Sequence, residues 1–355
     1  MACSRAAAAR GLAATLLDVA PVPPRGERFP SAFSLSLLLR SSSYGGQARE
    51  TAGVRALSKP SLSLLSRLWL AEPDAKTLSM AREAGLLGRG EPTGLAAAWT
   101  DLLLLNVYPY GTVFTDISGE LNGPAAAAAA RRYEAAGYRP PELAGAGAPD
   151  HAGLCLGFLS HLAAQGEEDT PFLAWTLDWL PVCALAVERQ PSAHPFYRDM
   201  AAATGEALLS GASVSASAAP EDLAPVLEAG PETEEEVDLT RVVRFLLAPA
   251  VSGFFLSRSR LGALALEAGL RLPFGSRFDV ARSLFEAAGE CGRVEPVLAA
   301  LSREAEAWDA AYSMLAREHV SWRARAGAWG DRIAATRERL SEMDRMASVS
   351  DRRGV

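Results

Sequence analysis

Three consecutive residues, Pro149, Asp150 and His151, are the first place in this chain to look for chemistry. A carboxylate beside an imidazole is raw material for general acid–base catalysis, but a dyad also needs a nucleophile or an oriented substrate, and no neighbouring sequence supplies one. The same residues have a positional reading. Proline fixes its own φ and pushes its predecessor into extended backbone, so the triplet makes a rigid entry to whatever follows. An apolar helix follows, carrying Leu154, Leu156, Phe158, Leu159 and Leu162, and Asp150 stands where a carboxylate can accept first-turn N–H groups and cap it. His161 lies ten residues beyond His151. On a continuous helix that is about 15 Å along the axis, too far for the two imidazoles to share a metal ion.

Other polar clusters invite the same test. Glu167, Glu168 and Asp169 read either as a solvated turn whose charge suits the next helix N-terminus or, with Glu142, as contacts for arginines of a partner peptide. Arg258 and Arg260 form a polar site that suits a phosphate or a peptide carboxylate, with internal salt bridges as the competing reading. Tyr108, Tyr110 and Phe114 sit in a turn-rich segment, and Trp175 and Trp179 recur at helical spacing. These aromatics either plug a gap in a core or line a peptide groove. Phosphate-loop, dinucleotide, zinc and iron–sulfur signatures are absent from the sequence, so no metal or cofactor is expected, and recognition rather than bond making is the expected activity.

With Lys and Arg totalling 35 against 42 Asp and Glu, the formal net charge is −7. That balance argues against a general nucleic-acid binder, which concentrates excess cations on one face. Cys3, Cys155, Cys183 and Cys291 are dispersed; Cys155 and Cys183 fall in apolar helix patterns and read as buried free thiols. No run of eighteen apolar residues appears and the amino-terminal stretch lacks a convincing signal-peptide core, so a cytoplasmic protein without stable membrane insertion is expected.

The elements that would position these residues are helical. Alanine, leucine, arginine and glutamate dominate and isoleucine is nearly absent, which favours helix over sheet. Apolar periodicity predicts helices from Ser58 to Trp69, through AKTLSMAREAGL, from Leu95 to Val107, from Pro124 to Gly137, after the Pro149 triplet, from Pro171 onward, and from His194 or Phe196 to Leu209. Pro181 falls inside the Pro171 helix and removes one backbone donor there, a loss that needs accommodation. Helices follow from Leu239, after Ser257 and after Ser276, and a long pattern from Glu295 to Met346 divides near Val320 or Gly327. The expected organisation is a poorly organised arm over 1–55, a helical domain over 56–209, an acidic flexible linker over 210–238, a C-terminal helical region over 239–346 and a disordered tail over 347–355.

In order along the chain stand P-D-H, a helix of the form LxxxFLxxL, the W-L-P of Trp179–Pro181, and the F-Y-R-x-M-A of Phe196–Ala201. This succession resembles the TorD/DmsD/NarJ family of molybdoenzyme maturation chaperones. The resemblance covers Leu62 to Leu209, with a weaker echo from Arg241 to Gly289, where Leu247–Arg258 is similar to a carboxy-terminal feature of some members. Ala148 stands where members often carry an acidic residue, and Thr176 near a common histidine. The resemblance implies an all-α, TorD-like helical bundle and a non-enzymatic chaperone. Such a protein binds the twin-arginine signal peptide, or a nearby segment, of an apo-molybdopterin oxidoreductase and holds it for cofactor insertion. Pro149, Asp150 and His151 would then organise a hinge beside the peptide groove, and molybdenum-cofactor biosynthesis proteins are further expected partners. A structural adaptor of a respiratory oxidoreductase complex and a small-molecule-binding helical regulator are the alternatives.

Overall fold

A computed structural model describes residues 61–86, 93–117, 119, 121–141, 147–211 and 239–353. The expectations for 1–55, for 212–238 of the linker expected over 210–238, and for Glu142 lie outside them, while Ser210 and Gly211 belong to the helix that precedes that stretch. The architecture is all-α: among the described residues the one β-type pairing is an isolated antiparallel bridge between Tyr110 and His151.

Helix α1 (Leu62–Leu70) starts four residues later than its periodicity suggests, where the Ser61 hydroxyl accepts the Leu64 N–H at 3.3 Å. Helix α2 (Ala75–Glu83) is capped by Asp74, whose Oδ1 accepts the Thr77 N–H at 2.7 Å; Pro73 precedes the cap rather than opening the helix. Helix α3 (Leu95–Trp99) runs directly into a π-helical stretch, Thr100–Asn106. Its apolar pattern continues, but the backbone widens, a form concentrated at functional or strained sites. There Asn106 bonds back to the Asp101 carbonyl at 2.9 Å and reaches out with Oδ1 to the Ser259 N–H at 3.0 Å. A short α4 (Gly111–Thr115) and α5 (Pro124–Ala135) follow, the latter with proline in its first turn.

The centre of the molecule is α6 (Ala152–Gln165), α7 (Thr170–Glu188) and α8 (Pro195–Gly211). Gly166 ends α6 with φ 72°, a left-handed value that glycine adopts without a Cβ penalty. Helix α1 packs on α6, and α7 on α8. The sequence shows no uninterrupted apolar run of eighteen residues, yet α7, at 19 residues, is long and apolar enough to cross a membrane. It is a core helix instead: Phe172, Trp175, Leu177, Trp179, Leu180, Val182 and Cys183 are all buried inside the protein. Helix propensity tolerates Asp178 and Pro181 here because other elements satisfy what they disturb, as described next.

The C-terminal region comprises α9 (Leu239–Leu247), α10 (Pro249–Ser252), α11 (Arg258–Glu267), α12 (Arg277–Cys291), α13 (Val294–Glu318), a 3-10 turn (Val320–Trp322) and α14 (Arg323–Arg353). The division at Val320 falls where the sequence suggests. Ser276 caps α12 in a reciprocal capping box with Asp279, and α14 continues to Arg353, through residues whose composition reads as a tail. Helices α13 and α14 form a hairpin, and this hairpin docks on α7. Pro181 has no N–H, so the Leu177 carbonyl lacks its i+4 donor. Trp322 supplies a replacement: its indole Nε1 donates to Leu177 O at 2.8 Å. On the same flank Trp329 Nε1 donates to Asp178 O at 3.0 Å, and Arg325 bonds Asp178 Oδ1 at 2.6 Å and Ala174 O at 3.2 Å. The carbonyl freed by Pro181 is a docking point for the C-terminal hairpin, and one continuous apolar core runs through both regions.

Candidate functional site

The Pro149 triplet folds back on the aromatic segment that follows the π-helix. The Asp150 carbonyl accepts the Gly111 N–H at 3.0 Å and the Pro109 carbonyl accepts the Ala152 N–H at 2.7 Å, which makes the Tyr110–His151 bridge. The Tyr133 hydroxyl, from α5, donates to the Pro149 carbonyl at 2.7 Å. The Pro149 and Asp150 carbonyls and the His151 and Ala152 N–H groups thus all find partners within residues 109–151.

Asp150 does cap a helix, but not the one its position in sequence suggests. Its Oδ2 accepts both the backbone N–H and the hydroxyl of Thr112 at 2.7 Å, so it closes the first turn of α4, 38 residues upstream. The cap of α6 is His151, whose Nδ1 accepts the Gly153 N–H at 3.1 Å. The reason is steric and topological. The bridge to Tyr110 turns the Asp150 side chain across to α4 and leaves the next residue at the helix entrance. Asp150 is fully buried, and burial pushes its carboxyl up although the Thr112 bonds pull it down. Burial likewise depresses His151 to about 4. A neutral imidazole is what the cap requires, because protonation of Nδ1 would remove the acceptor. The Tyr110 ring meets the His151 ring edge-on at 5.0 Å.

The aromatic residues are distributed by burial. Phe114, Trp175 and Trp179 are 0 to 1% exposed, with Phe114 stacked between Trp179 (6.1 Å) and Phe255 of the C-terminal region (5.3 Å). Gly111 makes this packing feasible: a Cβ there would lie 2.5 Å from Trp175 Cζ2. Tyr108 and Tyr110 are half-buried. These five therefore form a continuous interior seam with two tyrosines at its edge. Of the acidic residues, Glu167 and Glu168 are exposed, whereas Asp169 caps α7 through the Phe172 N–H at 2.9 Å and pairs with Arg132 at 2.7 Å. Arg260 is held by Glu304 at 2.8 Å and Glu267 at 3.0 Å, while Arg258 lies over the exposed ring of Phe274 at 4.5 Å. Cys155 and Cys183 are free and buried, with burial raising both thiols far above the range in which a thiolate forms.

Beside the triplet lies an open cleft of about 640 Å³, walled by Tyr133, Tyr138, Pro140, Pro141, Pro149 and Leu154, with Glu134 on its rim. Sequence reading passed over this cleft, since Tyr138 and Leu154 look like ordinary helix-end and core residues. The cue is the proline pair at 140–141 facing the proline of the triplet. Its lining is predominantly apolar and aromatic, with Glu134 and Arg139 as its two charged residues, the usual character of a surface that accepts an apolar segment. Among the described residues no group of three or more His, Cys, Asp or Glu side chains is placed to hold a metal ion.

Comparison with known families places residues 72–179, about a third of the chain, on the model described as "Nitrate reductase delta subunit". That span carries a NarJ-type chaperone domain and includes α2 through the first half of α7, the triplet and most of the cleft wall. No curated protein and no solved structure matches the chain significantly.

Proposed function

We propose that this protein is a maturation chaperone for a molybdopterin oxidoreductase, acting in the cytoplasm, and that it binds the twin-arginine signal peptide or a neighbouring segment of the apoenzyme until cofactor is inserted. The observation that carries this reading is the coincidence of the family match with the cleft: the matched residues fold around an apolar, proline- and tyrosine-lined groove beside the buried triplet. The hydrophobic stretch of a signal would lie along Tyr138, Pro141 and Leu154. Its arginines would meet Glu134 at the rim, and Glu167 and Glu168 on the adjoining surface. Asp150 and His151 serve by holding the cleft wall in place, since both are buried and engaged with backbone groups. Phe114, Trp175 and Trp179 pack in the interior behind that wall, with the half-buried Tyr108 and Tyr110 at the edge of the seam. Molybdenum-cofactor biosynthesis proteins are natural third partners at the moment of insertion.

The word "subunit" in the matched family's description favours a second reading, a structural adaptor of a respiratory oxidoreductase complex. One experiment separates the two. The full chain is titrated calorimetrically with signal-bearing apoenzyme, signal-deleted apoenzyme and mature enzyme. A chaperone loses most of its affinity when the signal is deleted, and Glu134→Lys weakens binding of the signal-bearing form further. Equal binding to mature and signal-bearing enzyme, unaffected by Glu134→Lys, returns the adaptor.

A further inference from the structure

A second cleft, of about 310 Å³, opens in the seam where the end of α7 meets α11 and α13. Every residue lining it lies outside the span matched to the chaperone family. Its polar wall is built around Glu304, which is only 6% exposed. That one carboxylate receives Arg189 Nη2 at 3.2 Å, Arg260 Nε at 2.8 Å and Trp308 Nε1 at 3.0 Å. Two guanidiniums thus converge on a single buried negative charge. The other carboxylate near Arg260, Glu267, is 40% exposed at its side chain and shared with Arg303, so solvent screens it. Among the described residues Arg189 has no further anion: its remaining contacts there are the Ala307 carbonyl at 3.0 Å and the face of Trp308 at 4.9 Å. Its Nε is shut away from solvent and has no hydrogen-bond partner. Gln190 and Ser257, joined by a 2.9 Å hydrogen bond, continue the polar wall, and Phe255 gives the cleft an apolar side.

The wall therefore carries one positive charge in excess of its own anion, with N–H donors left over. A guanidinium fork matches carboxylate and phosphate oxygens in geometry as well as charge. The volume sits at the lower end of small-ligand pockets, room for a head group and a few further atoms. We propose that this cleft binds a small oxyanion, the carboxylate or phosphate head of a metabolite-sized ligand, with Arg189 and Arg260 as its cationic contacts and Glu304 as a built-in competitor that limits its affinity. The site is independent of the chaperone reading, because it shares no residue with the peptide cleft.

The test uses the full chain titrated with inorganic phosphate and, separately, with acetate, by calorimetry at constant ionic strength held with chloride. Saturable binding of at least one of the two is expected; phosphate alone assigns a phosphate-bearing ligand, and acetate alone a carboxylate. Arg260→Gln should weaken binding about tenfold, the loss of one charge-assisted contact. Glu304→Gln should do the opposite and tighten it about tenfold, and the added anion should raise the thermal midpoint of that variant more than that of the unmodified chain. Circular dichroism checks that both variants are folded. Saturable binding of neither anion by the unmodified chain and by Glu304→Gln overturns the proposal. So does binding that ignores both substitutions, because the triad would then be only a clamp between helices.

Discussion

Two prolines interrupt this molecule, and they are repaired in opposite ways. At Pro149 the disturbed backbone is satisfied locally in space: Tyr133, Gly111, Pro109 and Thr112 all come from the same family-matched block as the triplet itself. At Pro181 the orphaned Leu177 carbonyl is satisfied from 145 residues away, by Trp322 of the C-terminal hairpin, with Trp329 and Arg325 securing the neighbouring turn. The repair at Pro149 is self-contained; the repair at Pro181 is not. A buried carbonyl without a donor costs about 1–3 kcal/mol, so the hairpin belongs to the structural integrity of α7 rather than being appended to it. The C-terminal region therefore supports α7 from outside the matched block, and one apolar core includes residues of both.

The largest effect should come from removing residues 239–355. If the kink depends on the hairpin, the remaining chain should lose its cooperative thermal transition, because Phe114 loses Phe255 and α7 loses Trp322 together. A sharp transition in the truncated chain, followed by circular dichroism, would break the comparison.

Next in size is the pH response of the Pro149 triplet. His151 has a native value of about 4 against 6.5 for the free group, so the unfolded chain binds the extra proton first. The stability it contributes is fully present above pH 6.5 and is lost as pH falls through 4, amounting to about 3 kcal/mol. Asp150, raised by burial above the ordinary carboxylate range, works in the opposite direction, so the His151 contribution is isolated by difference. The stability gap between the unmodified chain and His151→Gln, from denaturant titrations, should narrow by about 3 kcal/mol between pH 7 and pH 4.

At the kink, Trp322→Phe should cost about 2 kcal/mol, from the lost ring volume and the unsatisfied Leu177 carbonyl. In a Pro181→Ala background, where an N–H can return to Leu177, the same substitution should cost about 1 kcal/mol less. This double-mutant cycle measures the repair directly, and additivity would show that Trp322 acts by packing alone. The smallest effect is expected for Asp150→Asn, under about 1 kcal/mol, since the amide oxygen can accept both Thr112 donors and no cation is left behind. A loss above that in chemical denaturation would mean that the charge itself matters at the triplet.

Much of the fold was legible because it rests on local periodicity. Leu62, Leu65 and Trp69, the Phe172–Trp175–Trp179–Cys183 stripe, and the caps at Ser257 and Ser276 announce their helices within a few residues of where they stand. The π-helical widening at Thr100–Asn106 was not legible, because its side-chain pattern is that of an α-helix and the outward reach of Asn106 to Ser259 appears only in three dimensions. The site was legible in its residue types and misleading in its connections. Asp150 has the chemistry of a cap, but which helix it caps depends on a strand-like bridge that no spacing encodes. The cleft went unread because its walls come from α5, α6 and the segments joining them, none of which is exceptional alone.

What the sequence determined by itself is the helical class, the two proline interruptions, the buried free thiols and the order of motifs that points to a chaperone. Those follow from backbone propensity and short-range spacing, which act between residues a few positions apart. Tertiary structure alone decided which groups repair the interruptions, that Asp150 serves α4 while His151 serves α6, and that two guanidiniums meet at Glu304. Apart from the His151 cap, each of these joins residues tens to more than a hundred positions apart. The physical reason is that a buried polar group takes whichever partner packing brings within hydrogen-bond reach, and packing is a property of the whole chain.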